Sequence, residues 1–294
     1  MAGARTGGVA LVLALLPTLA GAGADSSEQS SADLTIALER LDRVAQLYRD
    51  TALRFTCREM IEERLRGSST SESFEFDYVY VYDDREGLKD YRLRLGPGPR
   101  REVRLQDLPI GQFLERAYSW AFLFRSAVRR HFRYEMGEPE TVLGREALRI
   151  EFRPLPPYQH GVNDWAGTAW IDARTYQILR VEALPPEEFE VRRQFREQLV
   201  PVASTIRPRE QRRYIFGQII TDFSVERNGM RFPGRVEIVR SAWTPLSGRP
   251  QNRARETPIL HVEQSYSDYR FFAVHSEAEI HGLVFEGRAP PPSP

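Results

Sequence analysis

The residues of this chain whose types and order come nearest to catalysis are His160, Asn163 and Asp164, in a proline-containing loop, with Cys57 far upstream. A histidine beside a carboxylate activates a nucleophile when a hydroxyl or thiol lies within reach. No G-x-S-x-G elbow, H-E-x-x-H helix or phosphate-cradling glycine loop accompanies them. No nucleophile, base and orienter can be assembled, so the chain is read as a protein that is not an enzyme. The five histidines are scattered and the cysteine is single, so no zinc-type ligand spacing forms and no metal or cofactor is implied. Cys57 falls in a strand-like segment, where a lone cysteine usually serves as a small buried apolar residue.

Binding chemistry is better represented. Phe74, Phe76, Tyr78, Tyr80 and Tyr82 alternate over nine residues and set five aromatics on one face of a strand. Ile110, Phe113, Leu114, Ala117, Tyr118, Ala121 and Phe122 make a wide apolar stripe at helical spacing, with Pro109 suited to the first turn. Apolar surfaces carrying a few polar groups are what line a ligand pocket, and the tyrosine hydroxyls would supply those groups. The expected ligand-binding set is therefore the ladder plus Ile110, Phe113, Leu114, Ala117, Tyr118 and Phe122. The same two surfaces would also serve to pack against each other as plain core. Val79 and Val81 point the other way along the ladder strand, so its second face is expected to be covered too.

Arginines recur in groups: Arg92, Arg94, Arg100, Arg101 and Arg104, then Arg125, Arg129, Arg130 and Arg133, then Arg207, Arg209, Arg212 and Arg213. Guanidinium groups grip phosphates, as on lipid head groups. Interleaved acids and a net charge of zero favour ordinary solvated faces and exclude a nucleic-acid binder. Lys89 is the only lysine among 41 Lys and Arg residues, which fits a high-GC bacterial genome.

The elements that must position these residues follow an export signal. Arg5, the apolar run Val9 to Leu16, Pro17 and the small residues Ala20 to Ala24 have the three parts of a signal peptide over residues 1–24. No cysteine follows that would take a lipid anchor. Export without disulfides suits a bacterial periplasm. Residues 25–32 read as a linker. Asp33 then caps a helix to about Asp50, with Leu34, Ala37, Leu38, Leu41, Val44, Ala45 and Tyr48 on one face. Leu53, Phe55 and Cys57 alternate as a strand whose pattern shifts at Met60 and Ile61, as a bulge would make it. After the ladder, Leu88 to Leu95 returns as its partner; the stripe interrupts the sheet; and strands resume at Phe132. The segment 185–208 has no clean period and reads as strand and loop or as a peripheral helix over Glu188 to Leu199. A hairpin turns at Asn228-Gly229, His261 to Val274 forms a last strand, and the proline-rich residues 288–294 are expected to be disordered. The fold class expected is α+β, mostly β: one domain over 33–287, built as a strongly curved antiparallel sheet or open barrel covered by two or more helices.

Two segments carry a family likeness. Gly167-Thr168-Ala169-Trp170-Ile171-Asp172, a turn, and Ile178-Leu179-Arg180-Val181-Glu182 form a strand pair of the type G-x-x-W-I-D … L-R-x-E. Asn228-Gly229-Met230-Arg231-Phe232-Pro233 is a hairpin of the type G-x-x-x-P. With the order of helix, meander, helix and strands, they resemble the outer-membrane lipoprotein carrier (LolA-like) superfamily over most of Asp33 to Val274. The resemblance implies an unclosed barrel under helices with an apolar cavity for lipoprotein acyl chains, in a superfamily of carriers, outer-membrane receptors and a periplasmic stress regulator. The function expected is thus a periplasmic binding or carrier protein for a hydrophobic ligand or lipid, with peripheral membrane contact. The alternative is an envelope sensor or protein-interaction module without a cavity.

Overall fold

The computed structural model describes residues 22–49, 54–65, 71–83, 87–95, 101–103, 117–157, 165–196, 214–245 and 254–271. Helix α1 (Ala22–Leu47) is followed by β1 (Arg54–Leu65), β2 (Ser71–Asp83) and β3 (Gly87–Arg94). A 3-10 helix (Ala117–Phe122) and the short α2 (Ser126–Arg129) then precede β4 (Phe132–Met136), β5 (Glu140–Val142), β6 (Arg145–Pro154), β7 (Ala166–Asp172) and β8 (Ile178–Leu184). Helix α3 (Pro186–Arg196) leads to β9 (Tyr214–Asp222), the small hairpin β10 (Val225–Arg227) and β11 (Met230–Phe232), and the long β12 (Arg235–Pro245) and β13 (Ala254–Phe271).

One sheet takes all strands but the small hairpin, in the order β3-β2-β1-β13-β12-β9-β8-β7-β6-β4, with β5 on β6. Neighbours run antiparallel, and the sheet curves without closing. This is the mostly-β α+β architecture expected. The last strand returns to pair with the first (Ile61 opposite Gln264), so residues 203 positions apart share one wall. Among the described residues no helix is long and apolar enough to cross a membrane.

The inner face is set by alternation. Phe55, Cys57 and Ile61 on β1, Phe76, Tyr78 and Tyr80 on β2, Ile150 and Phe152 on β6, and Val236 and Ile238 on β12 join one buried cluster. Helix α1 closes over it with Ala37, Leu41 and Tyr48, at the spacing expected from the sequence. The backbone of α1 begins at Ala22 and runs through residues 25–32, which read as a linker. No proline interrupts that stretch, and a helix nucleated downstream propagates through it. Val79 and Val81, on the outer face of β2, are buried as well.

One further local expectation changes, and one left open is decided for a helix. The irregularity foreseen at Met60 and Ile61 lies elsewhere. The pairing of β1 with β13 shifts between Thr56 and Arg58, opposite Asp268, whose φ is 55°. Along β1 the alternation runs on unbroken, with Glu59 inward and Met60 outward at 44% exposure. The segment left open at 185–208 contains α3, which lies on the outer face.

Candidate functional site

The inner face at β1, β2 and β13 is an aromatic wall. Phe55 stacks on Tyr80 at 5.5 Å between ring centres and lies 5.1 Å from Tyr269. Tyr118, from the 3-10 helix, sits 4.1 Å from Tyr80 and 5.3 Å from Phe55. Phe232 and Phe271 extend the wall, 4.9 Å apart. Of the expected ligand-binding residues, Phe76, Tyr78, Tyr80, Ala117 and Tyr118 are buried here together. Phe74 and Phe122 are half-buried at its margin, beside the guanidiniums of Arg94 and Arg125. The side chain of Tyr82 and residues Ile110, Phe113 and Leu114 lie outside the described residues, as do His160, Asn163 and Asp164. Among the described residues, the end of the stripe at Ala117 and Tyr118 packs on the ladder at Tyr80.

Set into this wall is a charged cluster that the sequence reading missed. Glu59 is 0% exposed and Arg92, inward on β3, is 2% exposed. The Arg92 Nε and Nη2 donate to the two carboxylate oxygens of Glu59 at 2.5 and 3.0 Å. The remaining capacity of Glu59 is used by the Tyr266 hydroxyl, donating at 2.9 Å, and by the Gln264 amide at 3.3 Å. Arg92 Nη1 donates to Asp90 at 3.0 Å, and its guanidinium lies 4.7 Å over the Tyr78 ring. Burial works against the charge on Arg92, but the Glu59 carboxylate more than offsets it and holds its pKa above the ordinary value. Burial pushes the phenols of Tyr78 and Tyr266 up, so both stay neutral donors. It also pushes up the Cys57 thiol, which is an inert part of the wall, as expected of a lone cysteine.

Glu59 hid because a charged residue at an inward position looks like a break in the apolar alternation. The available signal was that the alternation resumes in phase at Ile61 if Glu59 is admitted, with an inward arginine on β3 to neutralise it.

Hydrogen bonds tie the elements over the wall to the sheet and to one another. The Tyr48 hydroxyl, at the end of α1, donates to the carbonyl of Arg231 and accepts its N–H at 3.1 Å. Asp42 accepts the backbone N–H of Ser126 at 2.8 Å, joining α1 to α2. Trp120 donates to Thr221 of β9 at 3.1 Å.

The motif residues prove to be structural. A side chain on Gly167 would come within 1.9 Å of the Glu182 carbonyl, so only glycine lets β7 and β8 approach there. Trp170 closes a small outer cluster with Val142, Ala147 and Leu179, and Asp172 holds the following turn through the N–H groups of Arg174 and Thr175. Asn228 and Gly229 have φ of 52° and 75°, the left-handed pair that the expected tight turn requires.

The outer face carries a different feature. A cleft of about 380 Å³ opens under α3, lined by Arg149, Glu151, Arg153, Glu182, Phe189 and Gln218 among others. Its polar groups are largely partnered within it: Arg149 pairs with Glu151 at 2.7 Å, Arg153 pairs with Glu151 at 3.3 Å, and the Gln218 amide donates to Glu182 at 3.2 Å.

No protein-family model and no curated protein matches the chain. Among solved structures, it is similar to an outer membrane lipoprotein-sorting protein domain from Vibrio parahaemolyticus, at 14% identity and a TM-score of 0.43, over 88% of this chain and 99% of that one. It is also similar to a LolA superfamily protein from Nitrosomonas europaea, at 11% identity and a TM-score of 0.38, over 82% of this chain and 94% of that one. A chain of the Pseudomonas aeruginosa MucA/MucB complex matches at 13% identity and a TM-score of 0.26, over 81% of this chain and 100% of that one. At these identities the likeness is one of fold, and function is read from this chain's own residues.

Proposed function

We propose that this chain is an exported binding or carrier protein of the bacterial envelope. It holds an acyl-chain-bearing ligand against the inner face, and its chemistry is burial, not bond making. The observation that carries the reading is the Glu59–Arg92 cluster within the aromatic wall. Burying two charges costs several kcal/mol per ion before pairing repays it, roughly, and an apolar pair would fill the same space at no such cost. An apolar surface with a few convergent polar groups is the composition of a ligand site. The helices over the wall act as its cover, exchanging their own apolar contacts for those of the ligand. At about 25 cal/mol per Å², some ~300 Å² of ligand surface removed from water contributes about 7 kcal/mol, enough for micromolar affinity less the cost of moving the cover.

The test is titration of the chain from Asp25 onward with a fluorescent fatty-acid probe. Saturable binding displaced by unlabelled palmitate is expected. A linear, unsaturable signal refutes the carrier reading. N-terminal sequencing of the exported protein is expected to begin after Ala22 or Ala24, and a start at Met1 would remove the signal peptide from the proposal.

The second reading, a protein-interaction module, is favoured by the polar cleft under α3, whose mixed charges suit a polypeptide better than a lipid. Under it, Arg153→Ala and Arg149→Ala would abolish capture of a partner protein while leaving probe binding unchanged.

A further inference from the structure

The Tyr118 hydroxyl is the odd group of the inner face. Its residue is 2% exposed, and its oxygen has no hydrogen-bond partner among the described residues. Several polar groups nearby are served: Tyr266 and Gln264 by Glu59, Tyr78 by Asp90 at 3.4 Å, and Tyr269 by the Pro233 carbonyl at 2.6 Å. Buried hydroxyls almost always find a partner, because one left without costs its full desolvation. Tyr118 is carried by the 3-10 helix, an element of the cover, and lies against Tyr80 and Phe55 in the middle of the wall. Burial keeps its phenol protonated, so it has an O–H to give.

Resting on the carrier reading, we propose that Tyr118 donates a hydrogen bond to a carbonyl of the bound ligand, and so selects acyl chains that carry a carbonyl over bare hydrocarbon. The carbonyl would sit where the chain joins its head, with the chain along Phe55, Phe76 and Tyr80. Rings alone grip any apolar chain; the hydroxyl makes the wall distinguish one chemical group.

The experiment displaces the bound fluorescent probe with methyl palmitate and with an alkane of matched length, on the wild-type chain and on Tyr118→Phe. The wild type is expected to prefer the ester by about tenfold, the weight of one well-made buried hydrogen bond. Tyr118→Phe is expected to lose that preference, so that ester and alkane displace the probe equally, and to unfold at an equal or higher urea concentration, since it sheds an unserved hydroxyl. Equal affinity of the wild type for ester and alkane, which needs no variant, would overturn the proposal. A preference that persists in Tyr118→Phe would overturn it as well. If the probe itself does not bind, the carrier reading falls and takes this inference with it.

Discussion

The two faces of the sheet carry ion pairs of nearly the same length and very different weight. On the inner face Arg92 meets Glu59 at 2.5 Å with both side chains withdrawn from water. On the outer face Arg58 meets Glu75 at 2.8 Å and Arg235 meets Glu263 at 2.7 Å, with exposures of 45% and 46% in the first pair. Distance does not separate them; access of water does. An exposed pair is screened and replaceable by solvent, whereas each half of a buried pair depends on the other. The outer pairs therefore hold a wetted surface in order, and the inner pair is a committed structure at the place where the apolar wall would otherwise be uniform.

The largest effect should come from splitting the inner pair. Arg92→Ala leaves the Glu59 carboxyl buried without its counter-ion, and a loss of about 3–5 kcal/mol is expected by urea denaturation. Replacing both residues by methionine should recover most of that loss while ligand binding stays impaired. Recovery of both stability and binding would show that the cluster has no part in the site.

Next comes the tie of the cover. Tyr48→Phe removes the hydroxyl that serves both backbone groups of Arg231, and a cost of about 1–3 kcal/mol is expected. Amide exchange in α1 should quicken more than exchange in β12. Equal acceleration in both would mean that α1 does not open on its own.

The outer face should respond mildly and to conditions. The hydrogen bond from Arg235 is the chief cause holding the Glu263 carboxyl below its ordinary value, against the opposing effect of burial. A carboxylate depressed in the folded state contributes stability that is complete above its unfolded pKa, near 4.3, and lost as pH falls through the folded value. Glu263→Gln should thus flatten the acid limb of a stability–pH curve and leave pH 7 changed by about 1 kcal/mol or less. Arg58→Ala is the smallest, within roughly 0.5 kcal/mol. Added salt should weaken these outer contributions and leave the Arg92→Ala effect unaltered.

What could be read from the chain beforehand follows the same division. The α1 stripe, the ladder Phe74 to Tyr80, the hairpin from Gly167 to Glu182 and the turn at Asn228-Gly229 are periodic or local, and each stands where its pattern put it. The partners of the ladder were not legible. Tyr266, Tyr269 and Phe271 reach it only because β13 returns to β1, a pairing no local pattern encodes. Glu59 and Arg92 were each visible as a charge, but their neutralisation is a fact of the folded sheet. Helix α3 was ambiguous because it is highly charged and rests on a polar face, which erases the apolar stripe that marks a buried helix.

The central claim is that the inner face holds an acyl-bearing ligand. Native mass spectrometry of the protein purified from the organism that makes it tests this most directly. An adduct of lipid mass that is retained by the wild type and lost from the double Glu59→Met, Arg92→Met variant is the expected result. A bare protein mass, or a lipid held equally by both, would contradict it.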